Sequence, residues 1–231
     1  CSSDLDKSIL PEHATIQEPL GNATYSVLGE DNDVAGKSMV IIGDGPVGLF
    51  ATAVARAVGV TNIFLVGISR FALEIGKKMG ADHILFADDN SLDRVAYVKD
   101  HTAGYGADIV LELVGAQQAI HEGFKMIRKG GRFTAFGVVS SPTVSIDYND
   151  GIVFKGCQIH GINGRKMFDT WYRVRNLLSS GRLDISPIIT HKMRLEDFPK
   201  AFDNMMEIPR KTGKIVLFPD SKELEIAQKR K

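Results

Sequence analysis

The chain has 231 residues, 44% hydrophobic and 24% charged, enough for one large soluble domain or for one domain with part of another. Lysine plus arginine equals aspartate plus glutamate at 28 each, so there is no electrostatic case for binding nucleic acid or an anionic membrane surface. No apolar run approaches the ~20 residues that a membrane helix needs.

Residues 1–34 lead in, and "ATIQEPLGNATYSVL" predicts a helix broken at Pro19. From residue 35 apolar runs alternate with helical patterns. "SMVII" predicts a strand and Pro46 to Val58 a helix; "NIFLVG" predicts a strand and Arg70 to Met79 a helix. "HILF" then precedes a helix near Ser91 to Asp100, and "ADIVLELV" precedes a helix from Gln117 to Ile127. "GRFTAFGVV" and "CQIHGI" predict two further strands. Continuously apolar strands belong to a parallel sheet covered on both faces. Strand–helix alternation with six strands predicts an α/β, doubly wound, six-stranded parallel Rossmann sheet. Phe168, Trp171, Val174 or Arg175, and Leu178 then fall at helical spacing before Gly181, a stripe expected to pack in the core or against another subunit. "PIITHKM", "LEDFPKAFDNMM" and "GKIVLF" predict strand, helix and strand, and "SKELEIAQKRK" a short terminal helix or frayed tail.

Gly43, Gly45 and Gly48 in "VIIGDGPVGL" follow a predicted strand and open a predicted helix. In a dinucleotide site the first glycine of G-x-G-x-x-G allows the turn, the second lets a pyrophosphate approach the backbone, and the third lets helix and strand pack closely. The helix N-terminus offers free N–H groups and partial positive charge to the phosphates. Pro46 fits the first helical turn, where its missing N–H costs nothing. Without a ligand, the same pattern is an ordinary strand–helix turn. About 20 residues further on, a carboxylate usually binds the ribose 2′-hydroxyl of NAD. Here the second strand ends at Gly67, and Ile68, Ser69 and Arg70 follow. A glycine leaves room for a 2′-phosphate, and a hydroxyl with a guanidinium can bind one, so the sequence favours NADP over NAD. The bland reading of Arg70 is a solvated residue starting a helix.

"QEPLGNA", "GDGPVG", "KGGRFTAFGV" and "VFKGCQIHGINGRKMFDTWY…GRLDISPIITHKM" together resemble the zinc-containing medium-chain dehydrogenases, over residues 8 to 218. The resemblance implies NAD or NADP as cofactor, zinc in the intact enzyme, a small alcohol substrate and a homodimer or homotetramer. It places Val47 beneath the pyrophosphate. Leu113, Val114 and Gly115 would line the crevice at the fourth strand end. Phe136, Gly137 and Val138 at the fifth strand end, with Ile162 and Asn163 at the sixth, would lie near the nicotinamide ribose. The bland reading of each is strand-end packing. Glu18 matches a family carboxylate near the catalytic zinc, a relay partner or occasional zinc contact; read by itself, it is a helix-surface glutamate. NAD-using members of the nearest branch carry an acidic residue where Gly67 stands and a basic one where Ala72 stands. The family's main zinc ligands, a cysteine and a His-Glu pair, would precede "QEPL" by about a hundred residues or more in the family pattern.

Three parts are therefore expected. Residues 1–34 end a catalytic domain, 35–182 form the dinucleotide-binding domain, and 183–231 return toward the catalytic domain. The first residue is not methionine, so a processed start or a longer chain is expected, and Cys1 to Ile9 does not read as a signal peptide. Cys1 and Cys157 cannot make a disulfide framework, which suits a reducing cytoplasm. Cys157 reads as a small apolar residue at a strand start rather than a nucleophile. His13, His83, His101, His121, His160 and His191 show no metal-ligand spacing, and His191 reads as structural or surface. The expected activity is hydride transfer from a secondary alcohol to NAD(P), with this chain supplying the cofactor platform. A zinc-free quinone oxidoreductase-type reductase and a non-catalytic NAD(P)-binding module are the alternatives.

Overall fold

The computed structural model describes residues 6–29, 33–141 and 143–230. Cys1 lies outside them. Two helices come first, α1 (Pro11–Ala14) and α2 (Gln17–Leu28). Then strands and helices alternate: β1 (Ser38–Ile42), α3 (Pro46–Ala57), β2 (Asn62–Gly67), α4 (Arg70–Lys78), β3 (His83–Phe86), α5 (Arg94–Asp100), β4 (Ala107–Glu112), α6 (Gln117–Met126), β5 (Ile127–Ala135) and β6 (Gln158–Gly161). The six strands form one sheet in the order β3-β2-β1-β4-β5-β6, every pair parallel. This is the doubly wound arrangement that the alternation predicts. After α7 (Asp169–Ser179), β7 (Ile189–Arg194), α8 (Phe198–Met206) and β8 (Lys214–Phe218) form a parallel two-stranded unit, closed by α9 (Ser221–Lys229).

Strand alternation sends neighbouring side chains to opposite faces. Met39, Ile41, Ile63 and Leu65 enter one apolar cluster, and Val40, Ile42, Phe64 and Val66 enter the other. Both faces are covered, which explains why β1 and β2 read as unbroken apolar runs. Each fully buried Leu or Phe here contributes about 1.5–3 kcal/mol. The first cluster also takes Leu20, Ala23 and Val27 from α2, and Ile188, Phe218 and Leu224 from the C-terminal elements. The flanking segments thus share a core with the sheet.

Three sequence expectations need correction. Pro19 does not break a helix, because it lies in the first turn of α2, where its missing N–H has no intrahelical partner to lose. The fifth strand runs Ile127–Ala135 and stops short of Phe136 to Val139. The N–H groups of Phe136 and Gly137 both donate to the Glu112 carbonyl, at 3.0 Å each, and this pair of hydrogen bonds to one acceptor ends the ladder. The helix expected from Ser91 starts at Arg94, because the Asp93 carboxylate accepts from Ala96 N–H and caps it. In the aromatic stripe before Gly181, Val174 is fully buried whereas Phe168 is 60% exposed, so only part of the stripe packs into this chain's core.

Candidate dinucleotide site

At the carboxyl ends of the strands, β1 and β4 are neighbours whose following helices lie on opposite faces. That topological switch point is where open α/β sheets bind ligands. A cleft of about 560 Å³ opens there, lined by Gly43, Asp44, Gly45, Gly67, Leu113 and Val114 among others. Its size suits a cofactor fragment.

Each glycine of the loop has a separate geometric reason. Gly43 has φ +125°, outside the range comfortable for side chains, and its N–H donates to Val66 carbonyl at 2.8 Å. A Cβ at Gly48 would sit 1.8 Å from the Gly43 carbonyl oxygen, so only glycine lets α3 start this close to β1. Around Gly45 no atom would lie within 4 Å of a Cβ. That space is open, and Gly45 is the N-cap of α3. An anion seated there meets free N–H groups at the helix start, which is the cradle a pyrophosphate needs. The residues present fit such a cofactor.

The strand-end turn after β4 is built by Glu112. Its buried carboxylate folds back and accepts from Val114 and Gly115 N–H, both at 2.8 Å. Burial pushes its pKa up, against the lowering effect of those two N–H groups. Gly115, at φ +76°, leaves no room for a Cβ against the backbone of Val138. A Cβ at Gly137 would meet Gly115 N at 2.1 Å, so the ends of β4 and β5 touch through glycines.

Gly43, Gly45, Gly67, Leu113 and Val114 therefore come together in one cleft. Pro46, Val47 and Gly48 lie beside it in the first turn of α3. Ser69 and Arg70 face a second, more apolar cleft with Asp44, Phe86, Ile208 and Arg210. Gly115, after β4, and Phe136, Gly137, Val138, Ile162 and Asn163, after β5 and β6, do not line the main cleft. Val138 is 89% exposed, while Ile162 is buried, its Cδ1 turned toward Gly29.

The room expected at Gly67 is not free. A Cβ there would come within 2.4–2.5 Å of Asp44 Cβ, Cγ and Oδ2. Asp44 is itself buried, and its Oδ2 accepts from Ser69 N–H at 2.6 Å. A carboxylate thus stands at the end of β2 although no strand-end residue carries one. Ser69 and Arg70 are also engaged. The Ser69 hydroxyl accepts from Ala72 N–H as the cap of α4, and the Arg70 guanidinium lies 4.1 Å from the Phe86 ring centroid. Sequence reading missed Asp44, whose importance depends on a contact across 23 positions. Arg210, which donates to the Asp44 carbonyl at 3.1 Å, was missed for the same reason.

Glu18 does not stand free. Arg165 Nη1 lies 2.5 Å from Glu18 Oε1, and Arg165 also packs against the Trp171 ring at 5.4 Å. Among the described residues no three His, Cys, Asp or Glu side chains cluster as a metal site. These residues by themselves do not fit a zinc centre. Cys157 is half-buried, its Sγ 3.5 Å from Gly151 carbonyl, and burial pushes its thiol pKa up, as suits a packed residue. No helix among the described residues is long and apolar enough to cross a membrane.

Sheet order, glycine turn and cleft together define the class, a Rossmann-type dinucleotide fold. The family model "zinc-binding dehydrogenase" matches residues 46–180, and the chain belongs to that family. It is 42% identical over 217 residues to an L-threonine 3-dehydrogenase of Bacillus velezensis, covering 94% of this chain and 60% of that protein. It is likewise 42% identical over 214 residues to an L-threonine 3-dehydrogenase of Thermococcus kodakarensis, covering 92% and 59%. Among solved structures, an alcohol dehydrogenase of Thermotoga maritima superposes with TM-score 0.82 at 28% identity, covering 94% of this chain and 59% of that one. The chain thus spans about 60% of the length of the curated relatives it matches.

Proposed function

We propose that this chain is the cofactor-binding platform of an NAD(P)-dependent alcohol dehydrogenase resembling threonine 3-dehydrogenase. The observation that carries the reading is the open space at Gly45, framed by a glycine that must be at 43 and one that must be at 48. Such a cofactor supplies hydride acceptance from a secondary alcohol. In this chain, the α3 N-terminus would hold the pyrophosphate. Leu113 and Val114 would wall the crevice, and the touching ends of β4 and β5 would lead on toward the nicotinamide side. Gly137, Val138 and Asn163 would line that far side, beyond the main cleft.

Zinc belongs to the family's chemistry, and the described residues make no zinc centre, so no step here runs through it. Arg165 would hold Glu18 in one orientation at the edge of α2, a positioning role. Residues 183–231 would return to a substrate-bearing part, residues 1–34 would lead from it, and residues 35–182 would be the nucleotide domain. The edge strand β6 exposes Gln158, Ile159 and Gly161 and could pair with a second copy, giving a homodimer or homotetramer. Scarce cysteine suits a cytoplasmic setting.

Fluorescence titration of the protein with NADH and NADPH tests the platform. Saturable binding of at least one supports it, and binding of neither overturns it.

A further inference from the structure

We infer that Asp44, on the glycine turn, replaces the missing strand-end carboxylate, so that the site takes a dinucleotide with a free 2′-hydroxyl and rejects a 2′-phosphate. The inference rests on the platform reading above.

The argument is one of shared volume. A side chain at the end of β2 would begin at the Cβ position of Gly67. Asp44 Cγ and Oδ2 already lie 2.5 Å from that point. The two positions exclude each other, so a glycine at 67 is what an aspartate at 44 requires. The absent carboxylate and the glycine are then one feature, with the acid moved from the second strand to the phosphate loop. Asp44 Oδ2 is fixed by Ser69 N–H at 2.6 Å, and the Asp44 main chain is fixed by Arg210 at 3.1 Å. Among the described residues, no hydrogen bond occupies Asp44 Oδ1. A ribose hydroxyl can donate to that oxygen, and a dianionic phosphate cannot. A dianionic phosphate beside a buried carboxylate meets like charge at short range, where screening is weak. Of the nearby cations, Arg94 is paired with Glu122, Arg210 is bonded to the Thr212 and Asp44 carbonyls, and Arg70 is drawn over the Phe86 ring.

The test is a pair of equilibrium titrations, by nicotinamide fluorescence, on the unaltered protein, Asp44→Asn, and the double variant Asp44→Gly/Gly67→Asp. The unaltered protein should bind NADH at least tenfold more tightly than NADPH. Asp44→Asn should shrink that ratio at least fivefold, chiefly by gaining NADPH affinity. The double variant, which moves the carboxylate back to the strand end, should restore the preference for NADH. NADPH binding as tight as NADH in the unaltered protein, or a ratio unmoved by Asp44→Asn, overturns the inference and leaves the platform standing. Binding of neither dinucleotide by the unaltered protein overturns both. Near-ultraviolet circular dichroism on each variant checks that the sheet is intact, so a change of ratio reads recognition rather than unfolding.

Discussion

Replacing Gly48 by alanine should unfold the turn without any ligand being involved. The new methyl would lie 1.8 Å from the Gly43 carbonyl oxygen and 2.9 Å from its carbon, where ordinary contact begins at 3.4 Å. Strand and helix must separate by about 1.6 Å, close to one full residue rise of an α-helix. Gly43 cannot yield freely, because its N–H is tied to Val66 carbonyl at 2.8 Å and its φ is +125°. The helix must therefore lift, and Leu49 and Phe50, both fully buried, lose packing. Overpacking with this much displacement costs about 3–5 kcal/mol, a large part of an ordinary domain's stability. With a urea slope of about 2 kcal/mol per molar, the midpoint should fall by roughly 1.5–2.5 M. Gly45→Ala is the control. Its methyl meets nothing within 4 Å, and the residue's φ of −68° and ψ of 176° suit any side chain. The lost N-cap preference costs about 1 kcal/mol at most, yet the methyl occupies the phosphate approach, so dinucleotide affinity should fall at least tenfold. A Gly48→Ala midpoint within about 0.3 M of the parent, or a Gly45→Ala variant that binds dinucleotide normally, would refute this division of labour.

Glu12 is buried and pairs with Lys192 at 3.2 Å and Arg230 at 2.9 Å. Burial opposes its ionisation, but a backbone N–H, Lys192 and Arg230 more than offset this and hold its pKa below the ordinary 4.5. Its contribution is full above pH 4.5 and is lost as pH falls through the folded value. Glu12→Gln should therefore cost roughly 3 kcal/mol at pH 7 in urea melts, and the gap should close in acid. Glu112 has the opposite sign. Its raised pKa means that stability is fully present below the unfolded value and declines as pH rises through the folded one. Glu112→Gln keeps an acceptor for Val114 and Gly115 N–H, so it should gain on the parent as pH rises above the ordinary carboxylate value of 4.5; a gap independent of pH would contradict the assignment. Gly67→Ala places a methyl 2.4 Å from Asp44 Cβ and should destabilise by about 2 kcal/mol. Asp44→Gly in the same chain should remove most of that loss, a non-additivity that a double-mutant cycle measures.

The centre of the sheet was legible because β1, β2 and β4 are short, largely apolar and bounded by turn residues, a signal carried within a few positions of sequence. The glycine turn was legible for the same reason. What could not be read were contacts between distant positions. Gly67 reads as empty space, and only the approach of the glycine turn fills it with Asp44. Strand ends were also misplaced, because "FGVV" continues an apolar pattern while the Glu112 carbonyl, on another strand, takes two N–H groups and stops the ladder. Glu18 stands out in the sequence only by resemblance, because its partner Arg165 lies 147 residues away.

The Glu12 cluster gives the chain an unusual loop. The bond to Arg230 joins residues 218 positions apart, and Lys192 donates to Ala227 carbonyl in the same knot. The lead-in residues and the C-terminal helix are thereby held to each other as well as to the sheet. Their opening should then be a single cooperative event. In hydrogen exchange, amides of α1, β7 and α9 should share one opening free energy, below that of β1, β2 and β4, and all three should lose protection together when the knot is broken.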